Sequence, residues 1–151
     1  MFKHILVPVD GSELSNLAVG QACVFAREIG ARVTFYHAKP AYFPAAIAGE
    51  ALFDDVAAYE AFRVAVDKQA ESILGQAGQV ASAAGVAYTT LSNESESAYE
   101  GIIAAAESAG CDLIYMASHG RRGASALLLG SETHKVLTHC KTPVLVHRQQ
   151  D

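Results

Sequence analysis

Residues 4–12 read His4-Ile5-Leu6-Val7-Pro8-Val9-Asp10-Gly11-Ser12, an apolar run that stops in a turn. A continuous apolar run, without polar alternation, suits a strand covered on both faces. Asp10-Gly11-Ser12 has turn chemistry, and Ser12 suits the N-cap of a helix beginning near Glu13. In that helix Leu14, Leu17, Ala18, Ala22, Phe25 and Ile29 recur at helical spacing, and Gly30 is placed to end it. The result is a strand, a tight turn and a covering helix.

Working outward, the same unit recurs. Arg32 to Ala38 reads as a second strand, and Lys39 to Gly49 as a long loop with two prolines and two aromatics. A helix is predicted from near Glu50 into the low 80s, with Val56, Tyr59, Val66, Ala70, Ile73 and Ala77 as its stripe. Gly75 and Gly78 weaken its middle. Val86 to Leu91 is a third strand. Ser97 is placed to cap a helix with Tyr99, Ile102, Ile103 and Ala106 inward and Gly110 at its end. Asp112 to Ala117 is a fourth strand, Glu132 to His139 a short helix, and Pro143 to His147 the last strand. Regular alternation of strand and helix implies parallel pairing by right-handed crossovers. The expected fold is a single α/β domain over residues 1–151: a five-stranded, doubly wound, Rossmann-like parallel sheet of order 3-2-1-4-5. In such sheets ligands bind beyond the carboxyl ends of the strands, where the winding reverses.

Composition narrows the function classes. A chain of 151 residues, 51% hydrophobic and 18% charged, has the balance of a folded domain. A formal charge of -5 with scattered lysines and arginines argues against nucleic acid, whose phosphates are bound by clustered cations. No stretch reaches the roughly 18 apolar residues of a membrane span, and the N-terminus reads as a strand rather than a secretory leader. Cys23, Cys111 and Cys140 form no CxxC and suit reduced thiols, so a cytoplasmic location is expected.

The chemistry gathers after the fourth strand, in Ala117-Ser118-His119-Gly120-Arg121-Arg122-Gly123 and then Gly130-Ser131. Gly120 and Gly123 let backbone amides approach a ligand closely. Gly130-Ser131 precedes a helix, whose N–H groups and dipole favour an anion. Two clusters of amides, a hydroxyl and two arginines near one crevice form a phosphate-binding arrangement in kind; the same pattern also describes ordinary tight turns.

The opening ILVPVDGS, the SHGRRG loop, the LLLGS helix start and the closing KTPVLVHR together resemble the universal stress protein family, in the right order from Lys3 to Arg148. The resemblance is to its nucleotide-binding branch, whose phosphate loop reads Gly, two residues, Gly, nine residues, Gly, then Ser or Thr. Gly120 and Gly130-Ser131 match; Ala117 stands where the first glycine belongs. The resemblance implies a pose for ATP or a related adenine nucleotide, with Mg²⁺ or Mn²⁺ on the phosphates. Pro8, Val9 and Asp10 would border the nucleoside, Asp10 facing the ribose or adenine edge. The backbone of Ala38 would meet the adenine, and Met116 and Ala117 would lie beneath it. Ser118, His119, Gly120, Arg121, Arg122, Gly123, Gly130, Ser131, Glu132 and Thr133 would surround the phosphates. The resemblance also implies a homodimer joined through the last strand, at Val144, Leu145 and Val146.

Plainer readings stand beside these. Asp10-Gly11-Ser12 also suits an Asx turn and cap, Ser131 an N-cap, and Arg121 and Arg122 solvated loop charges. The six histidines include no HExxH and no zinc spacing, and no serine has a GxSxG setting, so neither a metal site nor a nucleophile is expected. Three functions remain. They are a nucleotide-binding regulatory protein, a slow ATPase or phosphoryl-transfer enzyme using Asp10, His119 or Glu132, and an interaction module without nucleotide.

Overall fold

Along β1 (His4–Pro8) the side chains divide strictly by parity. Ile5 and Val7, with Val9 just beyond, enter one apolar cluster, and Leu6 enters another. The division repeats in β2 (Arg32–Pro40), with Val33 and Phe35 against Tyr36, and in β4 (Leu113–Ala117), with Leu113 and Tyr115 against Ile114 and Met116. Both faces of the sheet must therefore be covered. A computed structural model describes residues 1–42, 56–119 and 129–148. On one face lie α1 (Glu13–Ile29) and α2 (Val56–Ala84); on the other lie α3 (Ala98–Ala109) and α4 (Ser131–His139).

With β3 (Tyr88–Ser95) and β5 (Val144–His147), the five strands pair in parallel in the order β3-β2-β1-β4-β5. This is the expected doubly wound sheet. Ile5, Leu6 and Val7 are fully buried, and at roughly 1.5–3 kcal/mol per large apolar side chain such burial outweighs local propensity. The clearest local forecasts hold: Ser12 Oγ accepts from Ser15 N, and Gly30 ends α1 with φ 66°, a left-handed angle suited to glycine.

Tertiary context moves several expected features. Leu14, Ala18 and Ala22 of the expected α1 stripe are buried, with Phe25 and Ile29 packed against the core, but Leu17 is 43% exposed and Ser15, Val19, Cys23 and Ala26 complete the buried face. Val56 and Tyr59 of α2 are exposed, and its buried face begins at Val66. At about 1.5 Å per residue a 29-residue helix outruns a nine-residue strand at about 3.3 Å per residue, so its first turns project past the sheet. Gly78 does more than weaken α2: a Cβ there would come within 2.8 Å of the Tyr88 ring. Residues 43–55, with most of the expected loop and the expected helix start, lie outside the described residues.

β2 runs on to Pro40, so Ala38 sits within it, paired with Asn93. β3 starts two residues later than expected and continues to Ser95, because its register with β2 runs unbroken from Val33↔Tyr88 to Pro40↔Ser95. Pairing, which needs no apolar side chains, carries this polar edge strand. Ser97 occupies the N-cap position of α3 but makes no side-chain cap bond.

One polar chain crosses the amino-terminal end of the sheet. His4 Nε2 lies 2.7 Å from Thr34 Oγ1, which lies 2.8 Å from Thr89 Oγ1, while buried His4 Nδ1 has no partner among the described residues. Burial, then the Arg32 guanidinium, holds the His4 pKa below its ordinary value, against the opposing pull of the Asp112 carboxylate. A folded-state pKa below the unfolded value of about 6.5 leaves the neutral ring's contribution intact above that pH. It is lost as pH falls below it. The urea midpoint should therefore fall as pH is lowered from about 7.5 to about 5, and His4→Gln should flatten that fall. Equal slopes in the two proteins would exclude His4 as the source.

Candidate functional site

The winding reverses between β1 and β4, whose carboxyl ends lie side by side. On the β1 side, Val9 N donates to Tyr36 O at 2.8 Å, and His37 Nδ1 donates to Val9 O at 2.7 Å. The chain then turns sharply. Ser12 N donates to Asp10 Oδ1 at 2.9 Å, Gly11 takes φ 78°, and Asp10 N donates to the buried Ser15 hydroxyl at 3.2 Å. The Asx turn and cap read from Asp10-Gly11-Ser12 are thus present, and they fix Asp10 just past the carboxyl end of β1. Ser15 and His37, which hold this corner, carry no sequence signal beyond polar residues in apolar elements.

On the β4 side Ala117 is the last strand residue, paired with His147, and Ser118 N donates to His147 O at 2.8 Å. An extended backbone accepts alanine without strain, so the missing glycine leaves the strand intact. Met116 is buried, its side chain in the cluster under α3 and α4. Ser118 is buried, its Oγ 3.3 Å from His119 Nδ1. Gly120, Arg121, Arg122 and Gly123 lie outside the described residues.

Where the loop returns, its two ends are stitched together. Gly130 N donates to Ser118 O at 2.7 Å, and Thr133 Oγ1 donates to Ala117 O at 3.0 Å. A Cβ on Gly130 would meet His119 Cα at 2.9 Å, so glycine permits the close crossing. Gly130 is the N-cap of α4 and gives no side-chain cap; helix geometry leaves the first N–H groups of Ser131, Glu132 and Thr133 without carbonyl partners inside the helix. Such an end attracts anions. The Glu132 carboxylate is already engaged: Oε2 accepts from Tyr99 N at 2.8 Å, and Oε1 from Lys135 Nζ at 2.9 Å. That hydrogen bond, followed by the Glu132 charge, raises the Lys135 pKa.

The residues expected at the nucleoside lie in or just past the carboxyl halves of β1, β2 and β4, and those expected at the phosphates, where described, lie just past β4 or in the first turn of α4. The sequence pattern of the universal stress protein family matches residues 1–148. The chain belongs to that family. Universal stress protein YxiE of Bacillus subtilis (strain 168) is 33% identical over 98% of this chain and 100% of its own length. Among solved structures, a universal stress protein in complex with cAMP superposes with a TM-score of 0.70 at 25% identity, covering 99% of each chain. A family protein of Arabidopsis thaliana with AMP bound superposes with a TM-score of 0.69 at 12% identity, over 98% of this chain and 92% of that one. Among the described residues no helix is long and apolar enough to cross a membrane.

The Gly130 crossing should be sensitive to size. Gly130→Val should lower stability by about 1–3 kcal/mol, the usual cost of overpacking against backbone. Gly75→Ala, with nothing within 4 Å of the added Cβ, should gain roughly 0.5–1 kcal/mol in its helix. Chemical denaturation of both checks this, and a Gly130→Val protein as stable as wild type would refute the tight crossing.

Proposed function

We propose that this chain is a regulatory universal stress protein that binds ATP or a related adenine nucleotide at the carboxyl ends of β1, β2 and β4. The observation that carries the reading is the switch point itself, where the Asp10 turn follows β1 and the first turn of α4 is tied through Gly130 to the end of the neighbouring β4 segment. The relatives with cAMP and AMP support the ligand class. Pro8, Val9 and Asp10 would border the nucleoside, and Ala38, Met116 and Ala117 would offer backbone around the adenine. The Gly130 to Thr133 turn with the Ser131 hydroxyl would hold the phosphates, assisted by residues 118–123. Mg²⁺ or Mn²⁺ would ride on the phosphates, since the Glu132 carboxylate is committed to Tyr99 and Lys135.

The same commitment weakens the hydrolytic reading, because it removes Glu132 as a base, and Asp10 Oδ1 already takes the Ser12 amide. The module without nucleotide rests on Ala117, and a strand position asks for no glycine there. Occupancy would bias shape or partner choice, in a cytoplasmic protein whose three cysteines are free thiols. Calorimetric titration with ATP, AMP and cAMP in Mg²⁺ should give saturable heat. Ala117→Gly should tighten binding several-fold, corresponding to relief of about 1 kcal/mol of crowding. No heat from either form would sink the nucleotide reading.

The reading extends to a homodimer through β5. Pro143 O and His147 O accept from Ile114 N and Ser118 N of the β4 segment. By strand alternation Val144 and Val146 direct their own N–H and C=O groups to the outer edge. Leu145 packs against the α1–α2 cluster and Val144 against the other, so Val146 is the residue to change. Val146→Pro would delete one outward N–H and spare the β4 ladder. Light scattering should report a dimer for wild type and a monomer for the variant; a dimeric variant would place the interface elsewhere.

A further inference from the structure

We infer that Glu132 is a positioning residue, whose carboxylate caps α3 from α4 and so sets where the first turn of α4 stands. The inference rests on reading that turn as the phosphate cradle. α3 begins without a cap of its own, since Ser97 makes no side-chain bond to it. Its second residue, Tyr99, donates its backbone N–H instead to Glu132 Oε2 at 2.8 Å, across 33 residues of chain. A carboxylate at this place also answers the positive end of the α3 dipole. The other oxygen takes Lys135 Nζ, and that ammonium stands 5.3 Å from the Tyr99 ring centroid. One carboxylate, one ammonium and one ring thus close a loop of contacts between the two helices.

The geometry separates the parts of this loop. The Glu132 and Lys135 side chains are 40% and 45% exposed, and an ion pair so solvated fixes little. The bond to the Tyr99 amide is directional and charge-assisted, so it adds a specific tie between α3 and α4 to the apolar packing of Val136 with Ile102, Ala105 and Ala106. Gly130 and Thr133 tie the same turn to the β4 segment; Glu132 ties it in a second direction, toward α3. A free carboxylate in the first turn of α4 would repel a phosphate arriving there. Engaged by Tyr99 N and Lys135, its charge is balanced, while the Glu132 backbone N–H remains part of the turn.

Amide hydrogen exchange of the ligand-free full chain, with ATP titration in Mg²⁺, tests this. Glu132→Ala removes the acceptor, Glu132→Asp shortens it out of reach, and Glu132→Gln keeps an acceptor oxygen. Exchange at the Tyr99 amide should rise about tenfold in the Ala and Asp variants, as for loss of one charge-assisted bond. ATP affinity should fall by about threefold to tenfold in the same two, on the same scale. Glu132→Gln should restore both toward wild type, which general destabilisation would not do. Unchanged Tyr99 exchange in the Ala and Asp variants overturns the cap. Faster exchange with unchanged ATP affinity overturns the positioning role. If wild type itself gives no ATP heat, the phosphate reading and the positioning role fall together, and Tyr99 exchange with its Gln rescue judges the cap alone.

Discussion

Ile5, Leu6 and Val7 are withdrawn from water on both sides of the sheet, α1 and α2 covering one parity and α3 and α4 the other. Right-handed crossovers can cover both faces only if the chain winds one way from β1 to β3 and then returns past β1 to lay down β4. The connections leaving β1 and β4 therefore diverge to opposite faces, and the carboxyl ends of these two strands border a crevice. The candidate site is a consequence of that double burial. Nothing in the Asp10 turn or the α4 start would bring them together otherwise.

The carboxyl ends of β1 and β4 are held by backbone more than by side chains. Val9 is fixed through its N–H and carbonyl, Ala117 and Ser118 through theirs, and Gly130 crosses His119 at a distance that a side chain would forbid. This explains how Ala117 can stand where a family motif has glycine: the strand pairing with His147 sets its conformation. Gly130 has no such latitude, because its constraint is contact rather than torsion. Glu132 adds charge to an end suited to anions, and the α3 amide with Lys135 offsets it.

The sequence by itself determined the fold class and most element positions, because apolar runs, caps and end glycines act locally. β1, the Ser12 cap and the Gly30 stop needed no knowledge of distant residues. The family resemblance rests on the same local runs, and likewise the nomination of Asp10, Gly130 and Ser131. Only the tertiary structure decided what depends on a partner remote in the chain. Leu17 turned outward although it shares helical spacing with the buried Leu14 and Ala18, and β3 reached Ser95 because β2 offered a ladder that far. The first turn of α3 took its cap from Glu132, 33 residues away, rather than from Ser97 beside it. Periodicity records which side chains prefer burial; it carries no record of which backbone groups a later segment will satisfy.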